Sequence, residues 1–194
     1  MAPPPLVMAP IIAYNLSPRL RPMSHPAAVI TCSDRASADI YEDRSGPIAV
    51  AALQELGFDV SGPVIVPDDP EQIRLAIASA VDGGARIVVT TGGTGVNPAD
   101  VTVEVTRDVI AYEVPGLMEE VRRRGAEKQP LALLSRGVAG VLALPDAKRA
   151  LIINAPGSRG GVRDTLTVVG PLLHHVVDQL DGADHDMSAP PSAG

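Results

Sequence analysis

Apolar and polar positions along this chain repeat with two different periods. Ala27-Ala28-Val29-Ile30-Thr31 is a short apolar run that predicts a first buried strand. Ser45-Gly46-Pro47 then starts a helix in which Ile48, Ala52 and Leu56 share a face, stopped by Gly57. A second strand is predicted from Val60 to Val66. Asp69-Pro70-Glu71-Gln72 forms a capping box with proline at the first helical position. The helix behind it carries Ile73, Ala76, Ile77, Ala80 and Val81 on one stripe and ends at Gly83-Gly84. Residues 86–91 predict a third strand, and Thr102 to Ala111 a further helix. Pro115-Gly116 opens another, with Glu119/Arg123 and Glu120/Arg124 as i,i+4 pairs. Leu131 to Leu144 reads as extended, bent at Gly137 and Gly140; Arg149 to Asn154 reads as a late strand. A last helix runs from about Gly160 to Leu180, bent at Gly170-Pro171. Strands alternating with helices predict an α/β domain whose largely parallel sheet is covered by helices on both faces.

Both ends fall outside this pattern. Residues 1–25 read as a disordered Pro-rich arm, with Met23 a candidate alternative start, and residues 182–194 as a disordered tail. The domain is expected over 26–181. Leu6 to Leu16 is apolar, but prolines interrupt it and no basic segment precedes it, so it does not read as a secretory signal. No stretch approaches a membrane span, and the expected compartment is the cytoplasm. At 194 residues and 45% hydrophobic, the chain suits one domain. Its core must be aliphatic, because Phe58 is the only phenylalanine and tryptophan is absent. A net charge of −7, no basic run and few aromatics argue against nucleic acid or an anionic membrane as partner. Any anionic ligand must then be held by local groups. Cys32 is the sole cysteine, which excludes an intrachain disulfide and a cysteine zinc cluster; His25, His174, His175 and His185 lack metal-ligand spacing.

Chemistry is concentrated where strands end. The apolar run Ile87-Val88-Val89-Thr90 leads into Thr91-Gly92-Gly93-Thr94-Gly95, and a helix opens a few residues on. Glycines remove the Cβ atoms that keep an anion away, hydroxyls add donors and the helix start adds partial positive charge, which together cradle a phosphate. In sheets of this kind ligands sit beyond the carboxyl ends of the strands. The other residues there are Ser33-Asp34, Pro67-Asp68 and Asn154-Ala155-Pro156-Gly157-Ser158, all small, polar or glycine-containing. A kinase-type P-loop is excluded, because Lys128 and Lys148 are the only lysines and neither closes the glycine loop; Gly-x-Gly-x-x-Gly is absent as well.

These strings, with Thr31-Cys32-Ser33-Asp34, Asp43-Arg44-Ser45-Gly46, Pro98-Ala99-Asp100-Val101-Thr102, Glu113-Val114-Pro115-Gly116 and Leu134-Ser135-Arg136, occur in an order that resembles the molybdopterin adenylyltransferase family of the MogA/MoaB type. The resemblance covers about residues 26–181. It implies a three-layer α/β sandwich and a cytoplasmic enzyme of molybdenum cofactor biosynthesis. Such an enzyme converts molybdopterin and Mg-ATP to adenylylated molybdopterin and pyrophosphate. It further implies a homotrimer, in some members a hexamer, and a partner enzyme that inserts molybdate. Carried onto this chain, the substrate-binding positions are Ser33, Asp34, Asp43, Ser45, Gly46, Thr91, Gly92, Gly93, Thr94, Gly95, Thr102, Glu113, Pro115, Gly116, Ser135, Arg136, Asn154, Pro156, Gly157 and Ser158. Asp68 and Asp100 are the catalytic candidates, and Asp100 is the first choice to hold Mg²⁺.

Several residues have a structural reading beside the functional one. Asp100 can cap the helix that follows it, and Asp34 can form a turn. Asp69 is in better register than Asp68 to cap its helix, which leaves Asp68 freer for a site. Asp43, Ser45 and Gly46 read most simply as a helix start. Glu113 is either a site wall or a helix-start charge, and Arg136 either a phosphate contact or part of an ion pair. Cys32 reads as a small buried side chain. The chain departs from the family at Ala99, where arginine is usual, at Val103 and Ala155, and at Arg159, where proline is frequent. The loss of a cation at position 99 leaves Arg136, Arg159 and Arg163 as candidate replacements. It also leaves a second reading open, a molybdopterin-binding or scaffold protein of the same fold with weak or lost transferase activity.

Overall fold

The computed structural model of the protein describes residues 24–144 and 148–182; most of the Pro-rich arm and the tail beyond residue 182 lie outside the described residues. Six strands form one sheet: β1 (Pro26–Cys32), β2 (Asp59–Val66), β3 (Ile87–Thr91), β4 (Tyr112–Glu113), β5 (Ala139–Ala143) and β6 (Arg149–Ala155), in the order β2-β1-β3-β6-β5-β4. The helices are α1 (Asp34–Ser37), α2 (Gly46–Glu55), α3 (Pro70–Asp82), α4 (Thr102–Val109), α5 (Pro115–Lys128), α6 (Arg159–Val169) and α7 (Leu173–Leu180).

Alternation along the strands builds two cores. Ala27, Val29, Ile87, Val89, Leu151 and Ile153 face one side, where they pack with Leu53 of α2, Met118 of α5, Val162 and Val169 of α6 and Leu173 of α7. Ala28, Ile30, Val88, Ala150 and Ile152 face the other, against Ile73, Ile77 and Val81 of α3 and Val105 of α4. Burying each of the valine, leucine, isoleucine and methionine side chains contributes about 1.5–3 kcal/mol, and the two faces together make the three-layer sandwich. Asp69 caps α3 as its capping box predicts, accepting from the Gln72 amide at 2.9 Å.

The sheet is largely parallel, as expected, and becomes mixed only at one end. Strands β2, β1, β3 and β6 run parallel, whereas β5 is antiparallel to both β6 and β4. The extended reading of Leu131 to Leu144 is correct only for its last third. Pro130 opens a 3-10 turn over Pro130–Leu134, whose Leu131, Leu133 and Leu134 find no strand neighbour and stay exposed. In α2 the fully buried stripe is Gly46, Ala49 and Leu53, one residue on from the expected face, because the helix wedges between β1, β2 and α6; Ile48, Ala52 and Leu56 flank it. Arg124 pairs with Glu120 as expected, but Arg123 turns to Glu120 and Glu127 rather than Glu119. The last helix is interrupted by a 3-10 turn at Gly170–Leu172, where Pro171 has no amide hydrogen to donate.

Register positions the site. Cys32 of β1 pairs with Val66 of β2, Thr31 with Thr91 of β3, and Thr91 with Ala155 of β6. Four parallel strands therefore end level, and the loops that follow them rise from one rim.

Asn154 lies one residue before that rim and is fully buried. Its amide donates to Thr90 Oγ1 and Thr106 Oγ1, both at 2.9 Å, and its Oδ1 accepts from the Val138 amide at 3.3 Å. It ties β6 to β3, α4 and the start of β5 and does not reach the loops, so its expected substrate contact is replaced by a structural role. Asn154→Ala leaves these partners unsatisfied and opens a small void. Urea unfolding is expected to show about 2–3 kcal/mol less stability with an unchanged m-value.

Candidate active site

The loop after β3 is shaped by backbone crowding. Gly92 has φ +96°, and a Cβ there would strike the carbonyl oxygen of Cys32. Gly93 has φ +61°, and a Cβ there would strike the Thr102 hydroxyl. Only glycine meets both demands at once. From the far side Gly157 closes in, its Cβ direction ending 3.1 Å from Gly92 Cα. The Gly92 amide donates to Ala155 O at 3.1 Å, and the Arg136 amide donates to Thr94 O at 2.8 Å, so the loop is pinned at both ends.

Around it lies a cleft of about 640 Å³. Of the expected binding positions, Ser33, Asp34, Asp43, Ser45, Thr91 to Gly95, Gly157 and Ser158 line it, together with Asp68 and Asp100. Asp34 and Asp68 clasp one another: the Asp34 amide donates to Asp68 Oδ2 at 3.0 Å, and the Asp68 amide donates to Asp34 Oδ1 at 2.9 Å. Ser33, not Asp34, caps the short α1, accepting from the Ala36 amide at 3.3 Å. Asp68 Oδ1 and Thr102 Oγ1 are buried without a hydrogen-bond partner among the described residues, and both abut Gly93. Burial and the neighbouring charges of Asp34 and Asp100 push the Asp68 carboxyl above its ordinary range, against the Asp34 amide bond. Asp100 does not cap α4. Its Oδ2 accepts from the Asn97 amide at 3.1 Å and lies 2.7 Å from the Cβ direction of Gly95, while Val101 holds the N-cap position with no side-chain bond. Cys32 is buried, and burial pushes its thiol up to about 12, which makes it a neutral wall residue.

Asp43 works at the opposite wall. Its carboxylate accepts from Thr31 Oγ1 at 2.7 Å, the Ser45 amide at 2.9 Å, and Ser45 Oγ and the Gly46 amide at 3.0 Å. Gly46 sits behind it, with no room for a side chain between Thr31 and Pro63. Ser45 Oγ continues the chain of hydroxyls to Thr91 Oγ1 at 2.9 Å.

Three cations line the cleft: Arg159, one of the candidate replacements for the cation missing at position 99, and Arg35 and Arg44, which were not expected there. Arg35 and Arg44 each stack on Tyr41 at 5.5 Å, and Arg159 stands at the first position of α6. Arg35 and Arg44 directly follow Asp34 and Asp43, so asking which cations accompany each acidic loop would have found them.

Other expected positions lie away from this cleft. Thr102 is buried behind the loop, and Gly46 beneath Asp43. Glu113 sits in β4 and pairs with Arg107 at 2.9 Å, and Pro115 and Gly116 form the exposed start of α5. The side chain of Arg136 donates to Gly95 O and Asp100 O and pairs with Glu104, a structural brace for the loop. Ser135 and Pro156 line a second cavity of about 540 Å³, walled mainly by Val121, Leu131, Ala132, Leu134 and Pro156. Thr94, Gly95 and Ser158 belong to both cavities.

Burial opposes ionisation of Asp43, yet its bonds from Gly46, Thr31 and Ser45 hold its carboxyl below the ordinary range. A lowered folded-state value contributes stability above the ordinary carboxylate range that is lost as pH falls through it. Asp43→Ala is accordingly expected to cost about 1–3 kcal/mol at pH 7 in urea unfolding, with the difference from wild type shrinking below about pH 4.

Known proteins share this architecture. Residues 28–175 match the family described as "Probable molybdopterin binding domain". The molybdenum cofactor biosynthesis bifunctional protein of Synechococcus elongatus is 36% identical over 91% of this chain and 54% of its own length. This chain thus spans about half the length of the bifunctional relatives it matches. The molybdopterin adenylyltransferase of Pyrococcus furiosus is 32% identical over 80% of this chain and 91% of that protein. The solved structure of the molybdopterin biosynthesis Mog protein from Mycobacterium ulcerans superposes with a TM-score of 0.74 at 38% identity, covering 83% of this chain and 99% of that one. The sandwich, the glycine loop between level strand ends and a match over most of the chain lead to one conclusion: the protein belongs to the molybdopterin-binding domain family of molybdenum cofactor biosynthesis.

Proposed function

We propose that the protein adenylylates molybdopterin with ATP, releasing pyrophosphate. The observation that carries this reading is the meeting of two unlike cavities at the glycine loop. The polar cleft, with its hydroxyls, carboxylates and guanidinium groups, suits a nucleotide polyphosphate. The carbon-walled cavity beside it suits the flat pterin, and Thr94, Gly95 and Ser158 at the junction suit the terminal phosphate that joins the two halves of the reaction.

In the proposed reaction an oxygen of the molybdopterin phosphate bonds to the α-phosphorus of ATP. The bond from that phosphorus to the bridging oxygen breaks, and its electron pair leaves with pyrophosphate. A phosphate nucleophile is already ionised at neutral pH, so the site has to align two polyanions and offset their charge rather than remove a proton. The loop after Thr91 orients the phosphates, and Ser158 at the start of α6 adds the positive end of a helix.

Mg²⁺ fits the donor set. Among the described residues no group of three or more His, Cys, Asp or Glu side chains forms a complete metal cage. Mg²⁺ instead takes one or two protein carboxylates and completes its shell with water and substrate oxygens. Asp68, with its unpartnered Oδ1 and like-charged neighbours, and Asp100 across the loop would hold it. Bound there, the ion would supply charge neutralisation on the nucleotide.

The family resemblance supports a cytoplasmic homotrimer, or hexamer, working with a molybdate-inserting enzyme. The longer bifunctional relatives are consistent with a fused partner of that kind. No helix among the described residues is long and apolar enough to cross a membrane. Exposed Val64 and Ile65 on edge strand β2, with Leu75 on α3, are apolar surface that self-association would cover.

Purified protein incubated with molybdopterin, ATP and Mg²⁺ is expected to release pyrophosphate, and chelation by EDTA to abolish the signal. Asp68→Asn and Asp100→Asn should each lower kcat/KM at least a hundredfold. A raised folded-state value stabilises only below the ordinary carboxylate range and is lost as pH rises, so ligand-free Asp68→Asn should also be more stable than wild type at pH 7. No pyrophosphate from the wild type, with molybdopterin still bound, would establish the non-catalytic binding protein instead.

A further inference from the structure

We propose that Arg159 holds the nucleotide's polyphosphate, as the cation that the cleft keeps uncommitted for this anion. The inference rests on the adenylyl-transfer reading and names a residue within it.

The cleft carries the carboxylates of Asp34, Asp43, Asp68 and Asp100 and needs cations to accept a polyanion. Most candidate guanidinium groups are engaged. Arg136 is spent on Gly95 O, Asp100 O and Glu104, outside the cleft. Arg44 pairs with Glu42 at 3.6 Å and shares Tyr41 with Arg35. Arg163, one turn further along α6, is exposed and does not line the cleft. Arg159 is exposed, lines the cleft and, among the described residues, pairs with no carboxylate and stacks on no aromatic ring.

Its location adds a second argument. Arg159 is the first residue of an 11-residue helix, and the first turn of α6 contains no acidic side chain. A cation at a helix N-terminus is repelled by the helix dipole, an arrangement that is unfavourable until an anion arrives. The same helix start is pressed onto the glycine loop, since Gly157 lies against Gly92 Cα. Arg159 and the α6 N-terminus therefore present positive charge to one space, beside the glycine loop. That space belongs to the polar cleft and not to the carbon-walled cavity, which assigns Arg159 to the nucleotide rather than to the pterin.

The test is calorimetric titration of inorganic pyrophosphate into the full chain, beside steady-state adenylyl transfer with ATP. Arg159→Gln is expected to weaken pyrophosphate binding about tenfold, to flatten its salt dependence, and to raise the KM for ATP by a similar factor with kcat within about twofold of wild type. Arg159→Lys should recover part of the affinity, and Arg163→Gln should match wild type. The ligand-free melting temperature of Arg159→Gln should be unchanged or higher, because a misplaced cation has left the helix start. Equal pyrophosphate affinity in Arg159→Gln and wild type, or no measurable binding by wild type, overturns the assignment. A wild type that binds pyrophosphate through Arg159 but transfers no AMP refutes the adenylyltransferase reading alone.

Discussion

The close approach of backbone to backbone at the carboxyl ends of β1, β3 and β6 is the contact on which this structure depends. Thr31, Thr91 and Ala155 stand level across three parallel strands, so the chain leaving each strand turns in the space the next one needs. Side chains cannot fit there. Gly92 turns under the Cys32 carbonyl, and Gly157 lies against Gly92. A loop so confined has few conformations to lose when a ligand arrives, which is the physical meaning of preorganisation.

Charge is arranged around that loop by local bonds, not by the field of the whole protein, which is net negative. The two walls treat their carboxylates in opposite ways. Asp43 is saturated with donors and pulled below the ordinary range, so it serves as a permanent anchor for α2. Asp68 is buried among like charges and pushed above it, with one oxygen left without a partner. A carboxylate under that strain gains most from a cation brought in with a substrate. Residues tuned in this way weaken the ligand-free fold slightly, as strained groups at functional sites commonly do.

The second cavity depends on the part of the chain least regular in sequence. The 3-10 turn at Pro130–Leu134 sets exposed leucines beside α5, and Arg136 fastens the following segment to the glycine loop. Ser135 and Pro156 thereby reach a carbon-walled space next to the glycine loop. The polar and apolar halves of the site are thus braced through one arginine.

Much of this was legible in the residues alone. Apolar runs located β1, β3 and β6, the capping box located α3, and the glycine string following a buried strand located the loop, because each is a short-range signal written in consecutive residues. Strand β4, with two residues, carries no period to read, and β5 hides its antiparallel direction because a strand's partner is chosen by distant chain. The same limit governs the side chains. Asn154 and Arg136 have the chemistry of ligand contacts, and only tertiary packing turned one into the core and the other toward Glu104 and backbone carbonyls. Arg35 and Arg44 have the chemistry of ordinary surface residues, and only tertiary packing brought them to the cleft. Sequence by itself determined most of the elements, those with a readable period or cap, and which loops carry polar and glycine residues. Register, strand direction and the facing of each side chain came from long-range contacts, whose free energy no local window contains.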